Sequence, residues 1–161
     1  MASIKRPTQN KWMSGIITLS ADQTANLTAG NHIEFDTAYG DFAVSTGAGQ
    51  ADGLITLPGG HRYRVMAVHR LDASDNSGSL YTGIYDTTNA AFIAASQSGR
   101  ALGQSTGQAS AAQSSSQMPV AIAEFYVETT VQIEIQITFK AANTDTIIAA
   151  FTSCIIEEIP K

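Results

Sequence analysis

The segment Val131–Lys140 (VQIEIQITFK) alternates without a break. Val131, Ile133, Ile135, Ile137 and Phe139 fall on one side, and Gln132, Glu134, Gln136, Thr138 and Lys140 on the other. β-Branched and aromatic residues at period two predict a strand with one buried and one wet face. The same reading gives shorter strands at 15–20, 32–39, 53–57, 62–71, 80–85, 90–95, 120–127 and 146–159, separated by Gly, Pro, Asn, Asp and Thr turns. In the second of these, Ile33, Phe35 and Thr37 share a face opposite Glu34 and Asp36. No window of similar length places apolar residues at helical spacing. Many short strands at this spacing predict an all-β, antiparallel sandwich or barrel.

Two segments depart from simple alternation. Between positions 147 and 156 both parities are largely apolar, with Ile147, Ala149, Phe151 and Ile155 on one and Ile148, Ala150, Cys154 and Ile156 on the other. A single antiparallel sandwich leaves its outer face wet. A second apolar face therefore predicts contact with another subunit, in preference to a covering loop, and Ile148, Ala150, Phe151, Cys154 and Ile156 are the expected oligomer interface. Residues 96–117 hold seven Ser, five Gln, four Ala and three Gly with one charge, Arg100. Such a composition cannot build a core of its own, and it predicts a long projecting or subunit-crossing loop.

The chain has 161 residues, the size of one domain, and only 14% of them are charged against a globular norm of about 25%. Lys5, Arg6 and Lys11 stand in the first eleven positions without an acid, leaving six basic against fourteen acidic residues in the rest. An acidic body does not attract polyanions, so no nucleic-acid partner is expected. Residues 1–12, broken by Pro7 and ending in the sole tryptophan, Trp12, are read as a basic arm ahead of a domain spanning 13–161. The arm could seek an acidic protein surface, or its three charges could be an ordinary solvated terminus. Cys154 is the only cysteine, which excludes an intrachain disulfide, and in an apolar run it is expected to be a small buried hydrophobe. Neither a secretory leader nor an apolar run of membrane-spanning length is present, so the expectation is a soluble chain made in a cytoplasm, with no membrane partner.

Candidate chemistry is sparse. Gly103-Gln104-Ser105-Thr106-Gly107 matches the G-x-S-x-G nucleophile elbow, but that device needs a strand, a tight turn and a helix, and here it lies in a Ser/Gln/Gly tract. His61 and His69 share a strand parity yet stand roughly 27 Å apart when extended, too far for one metal. Asp72, Asp75 and Asn76 miss calcium-loop spacing and read as an Asx/Gly turn. The Asn26-Leu27-Thr28 sequon is idle without a secretory route. Arg62, Arg64 and Arg70 share a parity with Met66 and Val68. They could form an anion site, an inter-subunit ladder or a protected edge, and salt bridges to the plentiful carboxylates are the favoured reading. No catalytic residue, metal site or cofactor is expected, and the chain is not expected to be an enzyme.

The order GNHIEFDT, GLITLPGGHRYRVMAVHRL, GSLYTGIYDTTNAAFIA, VQIEIQITFKA and TIIAAFTSCIIEEI resembles the C1q/TNF-like jelly roll over about residues 15–160. In that family a Pro/Gly turn leads into a Gly-x-Tyr/Phe-x-Val strand, here Gly60 to Val65, and the chain closes on an apolar strand near a trimer axis. Lacking a collagen stalk, leader and disulfide, this chain is more similar to bacteriophage versions of the fold. A tail needle or fibre would need a long stalk upstream, which favours a head decoration (cement) protein. The resemblance implies a homo-oligomer, a trimer in preference to a dimer, on the exterior of the virion capsid. Its arm, with Lys5, Arg6, Lys11 and the aromatic anchor Trp12, would grip the major capsid protein. The alternative implied is a receptor- or glycan-binding module, as in a head fibre or tail knob, reading through residues 96–117 or the arginine strand.

Overall fold

A computed structural model of the chain describes residues 12–46, 53–73, 78–93, 100–102, 105–109, 120–140 and 144–160. Two antiparallel sheets face each other. One contains β1 (Ser14–Thr18), β2 (Thr37–Gly40), β5 (His61–Val68), β9 (Arg100–Leu102), β11 (Val120–Val127) and β14 (Ser153–Ile159), in the order β2-β1-β14-β5-β11-β9. The other contains β3 (Ala43–Val44), β4 (Ile55–Leu57), β7 (Gly78–Asp86), β10 (Ser105–Ala109) and β12 (Val131–Lys140), in the order β10-β7-β12-β4-β3, with β8 (Ala91–Phe92) also on β7. A two-stranded ribbon of β6 (Leu71–Ala73) and β13 (Thr144–Ile147) completes the set. This is the all-β antiparallel sandwich expected from the alternation.

Alternation explains the core. Tyr63, Val65 and Ala67 of β5, Ala121, Ala123, Phe125 and Val127 of β11, and Ile17 of β1 are buried from one sheet. Ile55, Leu57, Leu80, Ile84, Val131, Ile133, Ile135 and Ile137 are buried from the other. Burying each such side chain stabilises the fold by about 1.5–3 kcal/mol relative to exposure. The register shifts between Ile137 and Phe139, where Phe139 pairs with Tyr81. A bulge of this kind adds a residue to one strand, so strict period two ends there.

The 19–36 connection crosses between the sheets. Ile33 donates to the Ile135 carbonyl at 2.9 Å on one sheet, and Asp36 donates to the Thr18 carbonyl at 3.1 Å on the other. Ile33 and Phe35 are wholly buried, so the sequence identified their face correctly although the regular strand begins only at Thr37. His32 and Glu134, both buried, pair at 3.2 Å beneath this connection, and Gln136 donates to Glu134 at 2.9 Å. Glu134 thus leaves the wet face assigned to it from the alternation.

Two expectations about segments change. Residues 146–159 are not one strand: a 3-10 turn at Ala149–Phe151 separates β13 from β14. Asp22 fixes the turn by accepting from the Ala149 N–H at 2.7 Å, and Thr152 donates to the Ile148 carbonyl at 2.7 Å. The turn resets the parity, so that buried Ile147 is odd while buried Cys154 and Ile156 are even; within β14 itself Ile155 still places an apolar residue on the outward side. The Ser/Gln-rich segment is not wholly a loop either, since β9 extends the six-stranded sheet at its edge and β10 extends the other. The rest of 96–117 lies outside the described residues.

Candidate functional site

The outward face of the six-stranded sheet is organised in rows running across the strands. Cross-strand register aligns Tyr39, Ile16, Ile155, Met66, Ile122 and Leu102, one from each strand, in a single row. Six strands side by side make this row about 24 Å long. Tyr39 is 62% exposed and Ile16 45%, while Ile155, Met66 and Ile122 are half-buried by their neighbours. Large side chains at five successive outward positions, from Tyr39 to Ile122, are not what a solvated sheet face shows.

The next row toward the start of β1 alternates in charge. Ser14, Glu157, Arg64, Glu124 and Arg100 are in register. Arg64 binds Glu124 through Nε at 2.7 Å and Nη2 at 2.5 Å, and Glu157 lies 3.7 Å from its Nη1. The Glu124 hydrogen bond, then its charge, raises the Arg64 pKa further, so the guanidinium stays charged. Beyond it Ile159, Arg62 and Tyr126 align, and Tyr126 is half exposed. On the far side of the apolar row come Thr37, Thr18, Ser153, Val68 and Val120.

At the end of the face where residues 12 and 13 lead into β1, the backbone is clamped twice. Met13 donates to Glu158 Oε2 at 3.0 Å while its carbonyl accepts from the Glu158 N–H at 2.8 Å. Ser14 donates to Asp41 Oδ2 at 3.1 Å. The other oxygen of Glu158 meets His61 Nδ1 at 2.7 Å. The Met13 N–H holds the Glu158 carboxyl below its ordinary range; partial burial opposes this, and the hydrogen bond and charge of His61 reinforce it. Burial, and then the Glu158 charge, pushes the Tyr63 phenol up to about 12.

The expected site residues scatter over this frame. Lys5, Arg6 and Lys11 lie outside the described residues, and Trp12 is 49% exposed beside the clamp. Cys154 and Ile156 do not belong to an outward interface: both are wholly buried in the protein's own core, because the outward parity of β14 is Ser153, Ile155 and Glu157. Burial pushes the Cys154 thiol up to about 12, which makes it the inert hydrophobe expected. Ile148 is half-buried, and Ala150 and Phe151 are exposed at the 3-10 turn. The Arg70 guanidinium covers the Phe151 ring at 4.4 Å. Of the three arginines, Arg64 makes the salt bridges anticipated. Ile16, Tyr39 and Ile122 were not singled out from the sequence; the available signal was Met66 and Val68 on the arginine parity of one strand.

The backbone at Ser105 does not form a nucleophile elbow. Ser105 opens β10 opposite Thr82, and a strand follows it where an elbow requires a helix. Among the described residues no group of three His, Cys, Asp or Glu side chains is gathered as a metal ion requires, and no helix is long and apolar enough to cross a membrane.

Comparison with known proteins places the architecture. No protein-family model and no curated protein sequence matches the chain. Solved structures do match. Murine APRIL aligns over 92% of this chain and 100% of its own with a TM-score of 0.53 and 9% identity. The Eiger TNF of S. frugiperda aligns over 93% of this chain and 94% of its own with a TM-score of 0.56 and 6% identity. The fold is a TNF-like jelly roll, and at these identities the likeness is one of fold alone.

Proposed function

We propose that this TNF-like jelly roll is a structural virion protein. It joins copies of itself, as a trimer, through the outward face of the six-stranded sheet. It decorates a capsid exterior by docking on the major capsid protein through its N-terminal arm. The observation that carries the reading is the outward row Tyr39–Ile16–Ile155–Met66–Ile122, which runs unbroken across five strands. A contiguous apolar patch marks an interaction site, whereas scattered exposed apolar residues do not. The alternating ladder beside it supplies the polar rim that gives such a contact its register. Closed symmetry lets copies bury this face against one another without forming a filament. Capsid docking is supported by the charge contrast between Lys5, Arg6 and Lys11 and the acidic remainder, with Trp12 as the aromatic anchor.

Two measurements test this reading. Light scattering of the purified chain should give about 51 kDa, three copies of 17.0 kDa. Removing residues 1–12 should abolish co-sedimentation with undecorated capsids while the circular dichroism of the sandwich persists. A receptor- or glycan-binding module would behave otherwise: arm removal would be harmless, and shortening the 96–117 segment would abolish adsorption to cells or glycans.

A further inference from the structure

The arm leaves the sandwich at a point held by one carboxylate. Glu158 grips the Met13 N–H at 3.0 Å with one oxygen and His61 Nδ1 at 2.7 Å with the other, while its own N–H donates to the Met13 carbonyl. Two of these contacts hold Met13, the residue next to Trp12, and the third ties the same carboxylate to β5. We propose that Glu158 is a proton-operated latch on Trp12–Met13, the root of the arm: ionised, it ties the Met13 amide to β5 through His61, and protonated, it releases that amide and frees Trp12. The role of the latch in docking rests on the reading above; the latch itself is a property of the isolated chain.

The groups around this carboxylate account for its behaviour. From β5 it faces His61 and its register partner Tyr63, whose hydroxyl is occupied by the Pro58 carbonyl at 3.0 Å. From the residue before β1 it meets the Met13 backbone, and the adjacent Ser14 amide belongs to a second carboxylate, Asp41. On its own strand Glu157 points the opposite way, toward Arg64 at 3.7 Å, and Arg62 shares that outward face. Among the described residues Glu158 is therefore the carboxylate in contact with both Met13 and β5. Charge-assisted bonds from N–H groups to a carboxylate are about twice as strong as neutral ones, so protonation removes much of the grip. Because the folded carboxyl titrates below its ordinary range, the latch is closed at neutral pH and opens as the pH falls through that lower range.

Trp12 is the sole tryptophan and sits one residue from the latched amide, so its fluorescence reports the arm root directly. In the full chain, without capsid, the emission should shift to the red, with a matching rise in acrylamide quenching. The step should come as acid protonates Glu158 and precede any loss of strand signal in circular dichroism. Glu158→Ala should show the red-shifted, quenchable state already at pH 7 with the sandwich folded, and Glu158→Gln should abolish the acid step. Trp12 emission that stays constant through the acid range in the folded wild type, or a folded Glu158→Ala with wild-type emission and quenching at pH 7, overturns the latch. Neither result bears on capsid binding, which is read separately by co-sedimentation.

Discussion

His69 shows how a single residue couples this fold to pH. Both ring nitrogens are buried without a hydrogen-bond partner among the described residues, and burial pushes its pKa from 6.5 down to about 4. The folded state therefore refuses a proton that the unfolded chain accepts. With the folded pKa depressed, the neutral ring carries no cost above about pH 6.5 and stability declines as the pH drops toward about 4. The decline is about tenfold in the unfolding equilibrium per pH unit within that window. Urea melts at pH 7.5, 6 and 5 should show this slope in the wild type and its loss in His69→Leu. At neutral pH the variant should be no less stable, because a buried unsatisfied imidazole is exchanged for an apolar group. Parallel acid slopes in the two proteins would remove His69 as the cause. Glu158 acts in a lower range: its depressed carboxyl contributes stability that disappears only as the pH falls below the ordinary carboxylate value.

At the level of elements, close backbone approaches decide what each strand tolerates. Gly40 ends β2 at φ +104°, and a Cβ there would lie 2.3 Å from the Ser14 carbonyl oxygen and 2.8 Å from Gly15 Cα. Both obstacles are backbone of β1, so a side chain must push the strands apart. Gly30 has a similar φ of +91° with nothing within 4 Å. Gly40→Ala should therefore cost more than Gly30→Ala, with the former in the range of about 1–3 kcal/mol or above, measured as the difference between their thermal or urea unfolding curves. Equal costs would mean that β2 yields freely. The same strands mark what could be read from the sequence. Residues 120–127 and 131–140 were placed to the residue, because the polar turn Glu128-Thr129-Thr130 separates them and polar and apolar positions alternate without a break in the second. β14 was assigned the wrong outward face because Glu157 and Glu158 put one carboxylate on each parity, leaving no charge to anchor it. β9 and β10 were invisible because Ser, Gln, Ala and Gly carry no alternation, and their pairing comes from the β11 and β7 edges.

For the whole molecule, the question is which surface is left over once the sandwich has satisfied itself. Ile155 and Ile156 are adjacent, chemically identical and turned to opposite sides of one sheet, which makes them a matched pair of probes. Ile156 is wholly buried between the sheets, so Ile156→Ala opens a cavity and should cost about 2–5 kcal/mol of stability. Ile155 sits mid-row between Ile16 and Met66 on the outward face. Ile155→Glu sets a charge in the centre of the apolar row, where desolvation on association would be unfavourable. It should convert the assembled species to a 17.0 kDa monomer in light scattering, while its unfolding midpoint matches that of wild type diluted until it dissociates. Comparison at matched association state matters, because an assembled wild type gains stability from mass action that the variant cannot share. If Ile155→Glu kept the wild-type mass, the outward row would not be the contact. Phe151 under Arg70, at the opposite end of β14 from the Glu158 latch, would then be a candidate to carry it, beside the exposed Phe92 and Tyr126.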